Sequence, residues 1–510
     1  MTWPSFLEYL NYAYAPIGAV DLVTYFFRRI FTLIREKGFQ SLISTNTIAQ
    51  GNAREGGLDV IVHQGGVINH AVRSMKWPGI AAVEVALVTI TKQQWKGKFI
   101  LAGKEVKTIT PYLDDSATIG NPYPLKQNTD KSFQGSIILG KGFVLEPHEA
   151  EALIRKNSTN RDVLFPYLNG DDLNSNPDQT PSRWVINFFD WSEKKCRDEY
   201  PDCFEIVEQL VKPQRAVLKD KGYREKWWQY GRRGVDLYKA IAQMQRVLVI
   251  AQVSKTSAFE FTGSKKVLDA KLNVFAFYDY RTFSILQSNT HVQWAWRFSS
   301  TMKTDLSYAP SMVFETFPFP QYISQSQEQQ LDRIGENYHE HRRSLMLSIQ
   351  LGLTKTYNLF HAKLLRQITP EEEQLDDQGL QKHLGKDAAY LHKHLAKTPD
   401  TTTFNEAVSG ILKLRDLHVQ MDNAVLEVYG WSDINLRHDF YEVDYLPEND
   451  RVRYTIHPDA RREILKRLLE LNHEVHAQEV SKGLWGKKIK DLKKEKPANK
   501  ADPTQIGLGI

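Results

Sequence analysis

Cysteine is nearly absent from this chain, with 2 in 510 residues, Cys196 and Cys203. Neither has a Cys or His at ligand spacing, so no metal motif is visible. The pair could close one disulfide, but scarcity of this order fits a reducing cytoplasm. Long hydrophobic runs are missing as well. No stretch approaches the ~18 apolar residues of a membrane span, and the N-terminus lacks the charged region, apolar core and cleavage site of a secretory signal. Charge of one sign is also scarce. Lys and Arg number 66 against 61 Asp and Glu, a net charge of +5, which admits a polyanionic partner without demanding one. No repeat of solenoid period stands out. What is present is an ordinary globular composition, 41% hydrophobic and 25% charged, which excludes bulk disorder. At ~150 residues per domain, two to four domains are expected. The 11 Trp and 22 Tyr fill cores or offer faces on which bases stack.

Leu22, Val23, Phe26, Phe27, Ile30, Phe31 and Ile34 recur at helical spacing, so a helix is expected over residues 21–36, stopped by Gly38. Strand-like runs follow at 39–45, 67–72 and 82–90, the last after a Trp77-Pro78-Gly79 turn. A sheet this apolar needs cover on both faces, and one or two helices cannot supply it; either further strands and helices from outside this segment or downstream elements of the chain must. The stretch 111–134 is polar and turn-rich and reads as a linker. Residues 135–322 mix β-like runs (247–251, 274–277) with helical pieces near 146–155 and 203–215. Beyond 323 the pattern is helical. Ile411, Leu414, His418, Met421, Val425 and Val428 share one face, and Ile464, Leu465, Leu468 and Leu469 form a second stripe. Lysines crowd 482–500, so 481–510 reads as a basic disordered tail.

Several stretches together resemble one family. Gly18–Phe27 followed by Leu42–Thr47 looks like the segment after the catalytic motif of class I S-adenosylmethionine-dependent DNA adenine-N6 methyltransferases. Leu164–Leu173 with Ser182–Asn187, and Leu286–His291 through Tyr308 to Thr316–Pro320, resemble the entry and exit of the target-recognition domain of single-chain restriction–modification (type IIG/IIL-like) enzymes. Gly352–Phe360 and Met421–Trp431 resemble that family's helical C-terminal segment. The resemblance implies a partial Rossmann-like methyltransferase sheet in 1–110, a linker in 111–134, an α+β recognition domain in 135–322 and a helical domain in 323–480. It also implies double-stranded DNA as partner and S-adenosylmethionine as methyl donor.

The family's glycine-containing donor loop and Asn-Pro-Pro-aromatic tetrapeptide do not occur before Asp21. Asn121-Pro122-Tyr123-Pro124 is a lookalike in turn-rich sequence and reads as a loop, because the chemistry needs the tetrapeptide at a strand end in the cleft. No complete catalytic set is therefore expected in this chain. The donor site is expected from upstream sequence or another chain carrying the N-terminal methyltransferase half.

A base in duplex DNA must be extruded before it can be methylated. In the family an aromatic residue followed by proline stacks on the extruded adenine, and Trp77-Pro78 occupies that place here; the bland alternative is a turn residue capping the core. Asp21, Thr45, Asn46 and Thr47 border the expected cleft, Asp21 reading more simply as a helix N-cap. His70 and His291 have no acid or thiol partner at readable spacing and read as core or surface residues. Groove-reading candidates are Arg246, Gln252, Lys255, Ser257, Glu260, Lys265, Lys266 and Arg297, with Asn169 and Asp171 behind them, since these side-chain types match base-edge donors and acceptors. Each taken singly reads more simply as a solvated charge or phosphate contact. A rival from another class is a non-catalytic DNA-specificity subunit that directs separate methylase and nuclease subunits.

Overall fold

The structure is a computed structural model that describes residues 4–15, 20–81, 83–115, 120–302, 304–398 and 402–485. The basic tail expected beyond 481 lies outside the described residues from 486 onward. Among the described residues no helix is long and apolar enough to cross a membrane.

Two helices open the chain, α1 (Pro4–Ala13) and α2 (Leu22–Leu33). α2 ends three residues short of its expected limit, because Ile34 turns extended and Lys37 adopts a positive φ ahead of Gly38. Five strands follow: β1 (Phe39–Thr45), β2 (Val67–Lys76), β3 (Glu84–Thr91), β4 (Phe99–Leu101) and β5 (Lys104–Val106). Between β1 and β2 lie α3 (Gly51–Gly56) and α4 (Leu58–His63). The sheet order is β1-β3-β2-β4-β5. β3 runs antiparallel to both β1 and β2, so those two are parallel to each other. The short β4–β5 hairpin, not foreseen from the sequence, adds to the β2 edge. Its strands are too brief for alternation to register.

One face of this sheet is covered. Phe27, Phe31, Ile48, Leu58 and Ile61 pack on Ile68, Ala71, Ala86, Val88 and Ile90, with Ile109 and Leu113 closing the margin. The opposite face carries Phe39 and Ile43, 49% and 52% exposed. β1 pairs only with β3 among the described residues. Period-two alternation thus places half of β1 in a core and half in solvent.

The middle segment holds two four-stranded sheets. In one, Glu260–Gly263, Arg246–Ala251, Leu272–Phe275 and Ser132–Gln134 pair antiparallel in that order. Ser132–Gln134, inside the stretch expected to be a linker, is thus a strand. The other joins Val267–Leu268, Leu164–Leu168, Arg183–Ile186 and Val144–Leu145. It packs on Phe143, Phe188, Phe204, Trp227 and the two cysteines. Cys196 and Cys203 are free and buried; no disulfide joins them, and burial pushes both thiols up to about 12.

The C-terminal segment is helical. Gln325–Ile349 packs along Phe404–Val428, and Ile411, Leu414, His418, Met421, Val425 and Val428 are all buried. Pro458–Ser481 runs back to the 121–127 stretch. There Asn472 donates to the carbonyls of Tyr123 and Thr316 and accepts from the Tyr123 amide, while Glu479 accepts from the amides of Lys126 and Gln127. The Asn121–Pro124 stretch is a loop strapped to this helix.

Candidate nucleic-acid interface

The parallel strands β1 and β2 finish at the same level. Thr45 faces Val85 from one side of β3 and Met75 faces it from the other. Because α2 precedes β1 and packs against it, the start of α2 lies toward this same end. Asp21 sits there as N-cap, its carboxylate accepting from the Val23 amide at 3.5 Å. Thr45 and Thr47 share a hydroxyl hydrogen bond of 2.7 Å, and Asn46 begins a single 3₁₀ turn, Asn46–Ala49. Trp77 and Pro78 follow β2 directly, at the tip of the β2–β3 hairpin, where the Trp77 amide donates to the Val83 carbonyl. Trp77 is 37% exposed. The fold thus gathers Asp21, Thr45, Asn46, Thr47, Trp77 and Pro78 at one sheet end, where open α/β sheets hold their ligands.

This end is tied to the middle segment. The Thr301 amide donates to Gln50 Oε1 at 2.9 Å, and Gln50 Nε2 donates to Thr301 Oγ1 at 2.9 Å. Thr301 belongs to the hairpin of Ser300–Met302 and Asp305–Ser307, which pairs with Val253–Ser254. Deeper in the joint, the guanidinium groups of Arg54 and Arg297 lie 3.7 and 3.6 Å from the centre of the Tyr112 ring. Arg297 pairs with Asp114, and the Tyr112 hydroxyl donates to Asn121 at 3.0 Å. Burial pulls Arg297 down to about 9, with the nearby Arg73 and Arg54 adding to the effect. Sequence reasoning missed Gln50, Arg54 and Tyr112. No local pattern marks them, because their partners lie far along the chain. Beside the joint, a crevice of about 220 Å³ is lined by Arg73, Asp114, Trp296, Asp444, Tyr445 and Arg461.

The groove-reading candidates do not converge on one place. Arg246 and the Lys265–Lys266 turn sit at one end of the Arg246–Ala251 strand, since Arg246 faces Gly263. Gln252 sits at the other, roughly 20 Å away at strand rise. Asn169 and Asp171 join Gln252 there, for Gly170 packs on Ala251 and Lys271. Asn169 caps the Gly170–Ser175 helix by accepting from the amides of Asp171 and Asp172. Asp171 is exposed. Arg246 lies 4.0 Å from the centre of Phe261 and 4.4 Å from that of Tyr280, and donates to the Tyr278 carbonyl. Lys255 is exposed and pairs with Asp450 at 2.8 Å. Ser257 is buried. Burial lowers the Lys266 ammonium below its ordinary value, while Lys265 is exposed.

Two candidates occupy interior positions. Arg297 belongs to the joint. Glu260 is 2% exposed and accepts from Arg342 at 2.9 Å, from His339 and from Gln179. Burial alone would raise its carboxyl, but Arg342 and His339 hold it down at about 2. Its oxygens are engaged within the fold, as is the guanidinium of Arg297. His291 is a core residue, packed against Phe259 and Phe317 and lowered by burial to about 3. His70 lies on β2 opposite Thr89, half-buried. Among the described residues no group of His, Cys, Asp or Glu could hold a metal ion.

Residues 123–321 match the family model described as MmeI, target recognition domain. The whole chain resembles the solved structure of the type IIL restriction–modification enzyme MmeI in complex with DNA, with 16% identity and a TM-score of 0.61 over 93% of this chain. The chain spans 55% of that protein's length. The type IIG restriction endonuclease BpuSI matches more weakly, at 11% identity over 82% of this chain and 50% of its own, with a TM-score of 0.27. No curated protein matches the sequence. The chain therefore carries a target recognition domain of the MmeI kind.

Proposed function

We propose that this chain forms the end of the catalytic sheet and the DNA-reading part of a restriction–modification methyltransferase. That enzyme transfers a methyl group from S-adenosylmethionine to the N6 amine of an adenine in a specific duplex sequence. The observation that carries the reading is a juxtaposition. A recognition-domain match and an open α/β sheet end bearing an aromatic-proline turn are clasped together through Gln50 and Thr301.

The described residues do not fit the methyl donor. No glycine loop follows β1, and the segment after it is the 3₁₀ turn and α3, packed into the sheet's own core through Ile48, Ala49 and Ala53. No step through the donor is derived for this chain. The donor cradle and the catalytic tetrapeptide would come from other sequence, and the unpaired β1 edge with Phe39 and Ile43 in solvent is where preceding strands would add.

Within the chain, Trp77 supplies a ring on which the extruded adenine stacks, and Pro78 holds the turn. Asp21 keeps α2 in place, while Thr45, Asn46 and Thr47 line the wall of the cleft. Asn169, Asp171, Gln252 and Lys255 lie toward the clasped hairpin and face the duplex. Arg246, Lys265 and Lys266 contribute backbone contacts from the far end, and Ser257, Glu260 and Arg297 act through the fold that presents the others.

Selection of duplexes from a randomised pool by the purified chain tests the reading. One sequence should be enriched and bound at least ~10³-fold tighter than random DNA, whereas binding without sequence preference would reject it. In enzyme reconstituted with its catalytic half, Trp77→Ala should abolish most methylation, and unchanged turnover would reject the stacking role. The missing donor loop favours a second reading, a specificity subunit with no catalysis. Crosslinking with tritiated donor tests the premise both readings share, since labelling of this chain alone would contradict both; full turnover by the reconstituted Trp77→Ala enzyme would favour the specificity subunit.

A further inference from the structure

The β2–β3 hairpin carries an apolar tip that none of the described residues covers. Met75, Trp77, Ile80 and Val83 are 38%, 37%, 107% and 40% exposed, and Ile80 is the most exposed large apolar side chain among the described residues. Scattered apolar residues on a surface are ordinary, but a contiguous cluster at a projecting turn marks a contact. The tip is also a built feature. The Trp77 amide closes the turn onto the Val83 carbonyl, and the indole lies across the turn at Gly79. A Cβ on Gly79 would come 2.5 Å from Trp77 Nε1 and 3.0 Å from Cδ1, so only glycine lets the ring lie there. One side of the indole is thereby shielded by the turn, and the rest is left for a ligand. Ile80, the next residue, points away from any neighbour.

Size and position select the partner. Residues 75–83 contain one lysine, Lys76, and no acid; below the tip Glu84 faces Lys76 across the hairpin and Arg73 pairs with Asp444 at 3.4 Å. A stable protein interface buries ~800 Å² on each partner, more than one turn presents. A narrow apolar tip with no acid of its own suits the base stack of DNA, where inserted Ile, Leu, Phe or Pro side chains part neighbouring base pairs. The tip also projects from the same sheet end as Thr45–Thr47 and Trp77, where the adenine would be held.

We propose that Ile80 is a wedge that enters the duplex at the step vacated by the extruded adenine, while Trp77, three residues earlier and within ~10 Å of chain reach, receives that adenine. This rests on the methyltransferase reading above. The wedge occupies the gap in the stack and so opposes return of the base.

The test uses the full chain and the duplex recovered by selection. That duplex is compared with versions carrying an abasic site opposite each thymine in turn, so that each adenine is removed once. Ile80→Ala and Ile80→Ser, both at a solvent-exposed position, should bind the intact duplex at least tenfold more weakly than the parent. On the duplex lacking the target adenine, where opening has no cost, they should bind within about twofold of it. Urea midpoints equal to the parent's establish that both variants are folded. Equal losses on intact and abasic duplexes, or no loss on either, overturn the proposal. So does a concentration-dependent dimer in sedimentation that Ile80→Ser dissolves while DNA binding is untouched, since the tip would then be a protein contact. A chain that selects no duplex overturns the methyltransferase reading and this one together; a chain that selects one and ignores Ile80 overturns the wedge alone.

Discussion

The two ends of this molecule treat their side chains in opposite ways. Around the N-terminal sheet, large apolar groups stand in solvent: Leu22, Phe26 and Leu33 on one side of α2, Phe39 and Ile43 on β1. In the C-terminal half, polar groups lie inside. Arg342 is fully buried between Glu260, the Phe259 carbonyl and the Tyr357 hydroxyl. Tyr357 shares a hydrogen bond with Tyr338, Tyr338 with His418, and Asp422 accepts from Asn289 and His438. A network of this kind persists only when each member finds partners, because an unpaired buried charge is costly. The C-terminal half is thus closed on itself, while the N-terminal sheet keeps one edge and one face open.

The contrast can be broken most forcefully at Arg342. Arg342→Met leaves the buried Glu260 without its principal cation and should cost about 3–5 kcal/mol, read as a lowered urea midpoint. A loss below 1 kcal/mol, on the order of a surface change, would show that the network is not closed.

The same carboxylate gives a pH signature of somewhat smaller size. Glu260 is held at about 2 in the fold against an ordinary value of 4.5. A depressed carboxylate contributes stability that is present above its unfolded value and lost as pH falls toward the folded one. Stability should therefore decline between pH 4.5 and about 2, and Glu260→Gln should flatten that part of the profile. A parent and variant with parallel acid limbs would assign the decline to other groups.

A third test addresses the joint between the two halves. Tyr112→Ala removes the ring stacked by Arg54 and Arg297, contacts worth ~1–2 kcal/mol when desolvated. It should loosen protection of residues 107–115 and 120–125 in hydrogen exchange before it lowers global stability. Unchanged exchange there would show that other contacts hold the joint.

The smallest effect is expected where the sheet is open. Phe26→Ser and Ile43→Ser should each change stability by no more than ~0.5 kcal/mol. A loss above 2 kcal/mol at either would mean that the outer side of α2 or the open sheet face is covered in the protein as it works, and the asymmetry would vanish.

Much of the fold was legible because the signals are local. The spacing of Leu22 through Phe31 placed α2 within a few residues, and the strand-like run in 39–45 and the one after Trp77 placed β1 and β3. The stripe from Ile411 to Val428 faces inward as its period requires. The site was less legible. Side-chain type made Glu260 and Arg297 plausible DNA readers, yet one anchors a buried network and the other a domain joint. Charge alone cannot tell a solvated arginine from one whose carboxylate partner arrives from a distant segment.

By itself, the sequence determined which segments become helix or strand, where apolar stripes lie, and that an aromatic-proline turn follows the second strand. All of these follow from periods of two and 3.6 residues and from turn chemistry, which act over a few residues. Only the tertiary structure decided which ends meet: that Thr45 and Trp77 share one sheet end, that Gln50 reaches Thr301, and that Glu260 is withdrawn inside. Those outcomes depend on contacts between residues far apart in the chain. Their energies come from burial and pairing, which no short window of sequence contains.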